Sequence, residues 1–223
     1  EGTGTGTGLY TYLPDGLGAT ARSLVPVVLS SSGAAGSFYT SELTLTNRGG
    51  TAATVTFRYT AAFGGGGGTA IDFLLPGEQK IVPDAIAYLR SLGVPIPDSG
   101  NRGGTLHVTF TGLSSPAAAS VTVRTATAVP EGRAGLAYAA LPGTAPLTGT
   151  SFLCGLRQNA SDRSNVAVVH GGDSGDVTLR LTAVSGDPQT PGSRVLEEVT
   201  LAPGGFRQLS AVLEGAGYAS GFV

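Results

Sequence analysis

Residues 43–60 read LTLTNRGGTAATVTFRYT, and this stretch decides the fold class. Leu43 and Leu45, then Val55, Phe57 and Tyr59, alternate with Thr44, Thr54, Thr56 and Arg58. A period of two marks strands buried on one face. Between them, Asn47-Arg48-Gly49-Gly50-Thr51 is turn chemistry, because Asn and Gly tolerate the positive φ of a tight reversal. The expectation is one β-hairpin. The pattern returns about 122 residues later as Val166-Ala167-Val168, a loop at 170–175, and alternation over 177–182. The chain therefore reads as an internal duplication.

Working outward, residues 24–29 (LVPVVL) are expected to form a core strand that tolerates Pro26 only at an edge or bulge. The glycine run 64–68 lacks the Lys and Ser/Thr that reach phosphate and magnesium, so it reads as a loop between strands. Residues 71–75 form a further strand stopped by Pro76-Gly77, with 79–82 running beyond it. Residues 83–93 predict a short helix: Pro83 near its first turn, Asp84 beside it, Ile86, Leu89 and Leu92 on one side, Gly93 to end it. Residues 104–110 and 120–125 alternate as two more strands.

The second copy starts at 152–157 (FLCGLR). Residues 195–201 match 71–75, Ala202-Pro203-Gly204-Gly205 repeats Leu75-Pro76-Gly77, and 207–213 match 80–86. Only 214–223 remain after that, so the second copy reads as short by about two strands, with Gly221-Phe222-Val223 opening another. The expected fold is all-β: two tandem antiparallel β-sandwiches, with a short helix in the first. The expected division is an N-terminal extended segment 1–20, a first sandwich 21–130, a connector 131–150 rich in Pro and Gly, and a second sandwich 151–223.

Composition excludes several classes of function. Charged residues are 13% and the net charge is −2, so no basic face neutralises phosphates, which disfavours nucleic acid and anionic membranes. No run of about 18 apolar residues occurs. Cys154 is the lone cysteine, so no internal disulfide or cysteine-rich metal site is expected, and its apolar neighbours suggest a buried, inert thiol. The start at Glu1, with no Met and no charged-then-apolar leader, reads as a processed or excised mature segment.

Gly172-Asp173-Ser174-Gly175 has the look of a serine-protease nucleophile. A triad also needs a histidine base in reach and a buried carboxylate orienting it, and only His107 and His170 exist. His107 lies mid-strand in the other copy, and His170 begins the very turn that holds Ser174, a turn whose first-copy counterpart lacks the motif. No catalytic residue is expected. Asp162, Asp173, Asp176 and Asp187 show no calcium-ligand spacing and read as turn carboxylates. Asn159-Ala160-Ser161 fits the glycosylation acceptor pattern. The seven tyrosines lack any Trp beside them and read as core and edge packing rather than a sugar platform. No cofactor and no metal are expected.

The segments SELTLTNRGGTAATVTFRYTAAFGGG, PGEQKIVPDAIAYLRSLGVPIP, NRGGTLHVTF, SVTVRT, FLCGLRQN, RSNVAV and LAPGGFRQL together resemble a duplicated immunoglobulin-like region found near the C-terminal end of large secreted bacterial proteins. The resemblance covers about residues 24–223. It implies an extracellular or cell-surface location and an Ig-like sandwich, with no catalytic residue to carry over. In that family the second copy continues past GFV into further strands.

Residues 2–8 alternate Gly and Thr, and Leu9-Tyr10-Thr11-Tyr12-Leu13 continues the alternation with larger side chains. Two readings stand: a flexible glycine linker, or a strand that needs a partner sheet. With a second copy short of strands, the latter suggests β-strand complementation. Leu9, Tyr10, Thr11, Tyr12 and Leu13 of one molecule would complete the second sandwich of the next at Phe222, making a head-to-tail filament. The expected function is a non-enzymatic extracellular structural or adhesive protein that self-associates or meets another extracellular protein. The alternative is an accessory carbohydrate- or surface-binding module, or a fragment, of a larger secreted enzyme.

Overall fold

The computed structural model describes residues 18–33, 36–143 and 147–223. Leu9–Leu13 and the rest of the N-terminal segment through residue 17 lie outside it. The described residues are mostly β, their pairings are antiparallel, and they include one short α-helix.

The first half contains β1 (Ala19–Ser32), β2 (Phe38–Asn47), β3 (Ala53–Phe63), β4 (Gly67–Leu74), β5 (Gln79–Val82), α1 (Ala85–Ser91), β6 (Arg102–Leu113), β7 (Ala119–Val129), β8 (Gly132–Ala139) and β9 (Leu141–Pro142). Their order is β4-β3-β6-β1-β2-β7-β8, with β5 beside β2 and β9 beside β1. β1 links two groups of strands: most of it pairs with β6, and Ser30–Ser32 pair with Thr40–Phe38 of β2. Its register slips between Val25 and Val28, where Pro26 has no N–H to give the ladder. Both groups turn alternate side chains into one core, including Leu43 and Leu45 of β2, Val55, Phe57 and Tyr59 of β3, Val108 and Phe110 of β6, and Val123 of β7. Asp84 starts α1 by accepting the Ala87 N–H at 3.0 Å, Gly93 with φ +94° follows its end, and Ala85, Ile86 and Leu89 are buried.

Residues 43–60 form two strands as expected, but not a hairpin. β2 pairs with β1, β5 and β7, whereas β3 pairs with β4 and β6. The turn chemistry is real and serves a corner between the two groups. Asn47 is fully buried; its backbone N–H reaches Glu78 O at 2.8 Å, its Nδ2 donates to Thr51 O at 2.8 Å and Leu75 O at 3.1 Å, and its Oδ1 accepts the Gly49 N–H at 3.0 Å. Arg48 N–H goes to Ala118 O. The backbone leaving β2 is thus tied to its own neighbours and not to β3. The true hairpin is β3–β4, closed across the glycine run, where Thr60 pairs with Gly67.

Residues 131–150, read as a connector, also differ. β8 pairs with β7 residue for residue, and β9 with β1. Nearly all of β8 is exposed, so no hydrophobic alternation announced it; backbone bonds hold it, together with the Tyr138 hydroxyl, which donates to Val27 O at 2.8 Å.

The second half contains β10 (Leu156–Arg157), β11 (Val166–Val169), β12 (Val177–Ser185), β13 (Ser193–Leu201), β14 (Phe206–Leu209) and β15 (Ser220–Phe222), in the orders β10-β15-β12-β13 and β11-β14. Leu156, Val166, Leu181, Ala183, Val212 and Leu213 form its core.

The pairing plan of the first half recurs here. β2·β5 corresponds to β11·β14, β3·β4 to β12·β13, and β6 between β1 and β3 to β15 between β10 and β12. The Pro-Gly stops recur as turns with Gly77 at φ +73° and Gly204 at φ +76°, values that glycine adopts without steric cost. Even the slip in β1 returns: Val25 and Val28 oppose Leu106 and Gly104, while Leu153 exchanges both backbone bonds with Val223 and Leu156 opposes Gly221.

Candidate functional site

Two places stand out once the halves are aligned: the joint between them and the strand place that β15 enters. At the joint, the loop 170–175 and the turn 202–205 of the second half meet the outward face of β1, β3 and β6. Asp173 pairs with Arg58 at 2.7 Å and Arg22 at 3.3 Å. Thr105 Oγ1 donates to Gly204 O at 2.7 Å, and this bond is buried. A Cβ on Gly204 would lie 2.6 Å from Thr60 Oγ1, and one on Gly171 3.1 Å from Leu24, so both glycines permit close approach.

His107 completes the joint. Its Nε2 lies 3.3 Å from Gly171 O, which makes this nitrogen the protonated one in the neutral ring, and its Nδ1 is buried without a partner. Burial holds the imidazole below its ordinary range, against the opposing pull of the Gly171 carbonyl. The folded chain therefore resists a proton that the unfolded chain accepts. Stability is full above the unfolded value of about 6.5 and falls as pH drops from there towards the lowered folded value. Denaturant titrations across pH 5–8 are expected to show this loss, and His107→Gln, which keeps a donor for Gly171, is expected to flatten it; an unchanged slope would refute the assignment.

His170 occupies the corner that Asn47 holds in the first half. Its Nδ1 accepts the Gly172 N–H at 2.9 Å, as Asn47 Oδ1 accepts that of Gly49, and its Nε2–H donates to Gly175 O at 2.8 Å. With both ring nitrogens bonded to its own loop, His170 has no lone pair to accept a proton from Ser174. The Gly-Asp-Ser-Gly motif is a corner loop whose carboxylate ties the halves together.

At the second place, β15 begins where β6 begins. Phe222 stands in the register position of Thr105 and Val223 in that of Leu106. From Leu106 onward β6 covers β3 and β1. Among the described residues nothing takes that place over β12, whose pairing on this side stops at Val184. Exposure follows the gap: Val177 is 39% and Leu153 51% exposed, whereas their counterparts Ala53 and Val25 are at 1% and 0%. The edge of β11 that corresponds to the β7-bearing edge of β2 is likewise unpaired among the described residues. On the outward face, Phe222 packs edge-on against Phe152, ring centroids 5.9 Å apart, and Phe152 is 68% exposed.

Of the sequence-derived assembly residues, Phe222 lies at this open place, and Leu9, Tyr10, Thr11, Tyr12 and Leu13 fall outside the described residues. Cys154 is exposed, not buried, because it lies in the slip between Leu153 and Leu156, which leaves it out of the ladder. Asp162 accepts from Asn159 and Asp187 from Thr190, each within its own turn, and no group of three or more His, Cys, Asp or Glu is placed to hold a metal among the described residues. Asp72 accepts from Lys80 at 2.5 Å and from the Tyr88 hydroxyl, binding β4 to β5 and α1. Comparison with protein-family models, with curated proteins and with solved structures returned no match.

Proposed function

We propose that the chain is a non-enzymatic extracellular structural or adhesive protein of two tandem Ig-like β-sandwiches, and that it self-associates head-to-tail by β-strand complementation. The observation that carries the reading is the uncovered side of β12, where Val177 and Leu179 lose the cover that β6 gives Ala53 and Val55. An open edge with apolar side chains beneath it is the usual acceptor for an added strand. The donor is the segment Leu9–Leu13 of a second copy, entering beyond Phe222 in the direction of β6. Extracellular placement rests on the resemblance described above.

Sedimentation velocity over a concentration series tests this. The full chain is expected to associate and a chain lacking residues 1–13 to stay monomeric. Equal association of both would exclude the N-terminal segment as donor.

A further inference from the structure

The joint inside the chain repeats a face that the second half also owns. The first half receives the second on the outward side of β1, β3 and β6, at Leu24, Thr60 and Thr105. By the shared registers, the equivalent positions in the second half are Phe152, Val184 and Phe222. This face carries the exposed Phe152 with Phe222 against it, and no described residue is seen to dock there as the second half docks on the first. Conversely, the second half docks through its corner loop at His170 and its Pro-Gly turn at Gly204. The first half has the same two features, the corner loop after Asn47 and the turn at Gly77: the loop is held on one side by Arg48 and Thr51, which bond to Ala117, Ala118 and Gly112, while a Cβ on Gly50 at its tip or on Gly77 would meet nothing within 4 Å, and Leu75 beside the turn is 56% exposed.

We infer that the Phe152/Phe222 face is the docking site for the Asn47-corner and Gly77-turn end of a second copy, so that the joint seen within one chain recurs between chains. The occupant follows from likeness to the intrachain joint: the two complementary surfaces lie on opposite halves of one molecule, and no hydrogen bond or ion pair among the described residues joins one to the other. Such a contact is heterologous and does not close on itself, so it propagates. The intermolecular joint differs in chemistry. Asp173 and its two arginine partners have no charged equivalents, since Gly50 stands in the loop and Thr182 on β12 where Asp173 and Arg58 stand in the intrachain joint. Phe152, Phe222 and Leu75 supply its apolar contact, and the exposed Arg48, standing where Gly171 stands in the intrachain joint, brings a charge beside them.

The inference deepens the self-association reading without depending on the donated strand, and the test separates the two. In a Cys154→Ser background, Gly77→Cys with Val184→Cys places thiols at the counterparts of Gly204 and Thr60. Oxidation of the double variant is expected to give a ladder of cross-linked oligomers that reduction collapses and that neither single variant gives beyond a dimer. Phe152→Asp, at an exposed position, is expected to abolish association of the otherwise unaltered chain. Association unchanged by Phe152→Asp, together with no ladder, overturns the joint. If deletion of residues 1–13 then abolishes association, strand donation alone stands; if the deletion is silent and Phe152→Asp is not, the joint alone stands. Monomer at every concentration overturns both.

Discussion

Phe57→Ala is expected to lower the stability of the first half by about 3–5 kcal/mol, the usual cost of removing a fully buried aromatic ring. Phe57 is 0% exposed on β3, between strands that bury their inward residues on both sides, and it meets Tyr88 of α1 edge-on with centroids 5.9 Å apart. Neighbours fixed on two ladders and a helix cannot collapse into the space it leaves. The aromatic contact adds about 0.5–1.5 kcal/mol that no aliphatic replacement recovers. The register counterpart is Leu181 of β12, which is buried but borders the open side of its sheet. Leu181→Ala is expected to cost about 2 kcal/mol, at the low end of the range for Leu→Ala, because a half-open site relaxes. Urea unfolding of each variant, followed by probes in each half, checks the contrast; equal losses would mean that the two cores are equally closed.

Gly104→Val and Gly221→Val form the second matched pair. A Cβ on Gly104 would lie 2.1 Å from Thr60 O and 2.9 Å from Ala61 Cα, and one on Gly221 would lie 2.2 Å from Val184 O. The obstacles are backbone atoms of β3 and β12 at equivalent places, so no rotamer change relieves them. Gly104→Val is expected to cost about 3 kcal/mol, the upper end of ordinary overpacking, because the whole β3·β6 ladder must shift. Gly221→Val strikes a strand of three residues with few bonds to lose. It is expected to release β15 from β12, with a smaller loss of global stability but complete loss of association. Circular dichroism melts and sedimentation of the two variants separate these outcomes; a Gly221→Val chain that still associates would show that the β15 place plays no part in assembly.

The strands were legible in the sequence because they depend on local alternation and on stops such as Pro76-Gly77 and Pro203-Gly204. Pairing was less legible. The Asn47 turn has the composition of a hairpin, and only the bonds to Thr51, Leu75 and Glu78, made across the fold, show that it is a corner. β8 is silent in the sequence because Ala- and Gly-rich exposed strands carry no period, and Cys154 reads as buried because a slip in register, which reverses the face a side chain takes, leaves no mark on local composition. The joint was invisible for a further reason. Arg22, Arg58, His107 and Asp173 are far apart in sequence, and nothing local announces that they meet. Phe222 was legible as the opening of a strand, while its outward packing on Phe152 required the register of β10 against β15.

In the proposed function, the open strand place on β12 of the second half is what assembly fills. Hydrogen exchange on the dilute full chain, compared with the assembled form, tests it most directly. The amides of β12 between Val177 and Thr182 that do not bond to β13 are predicted to exchange close to the unprotected rate when dilute, while their β3 counterparts are held by β6, and to become protected on assembly. Protection of those β12 amides in the dilute monomer, equal to that of β3, would contradict the account.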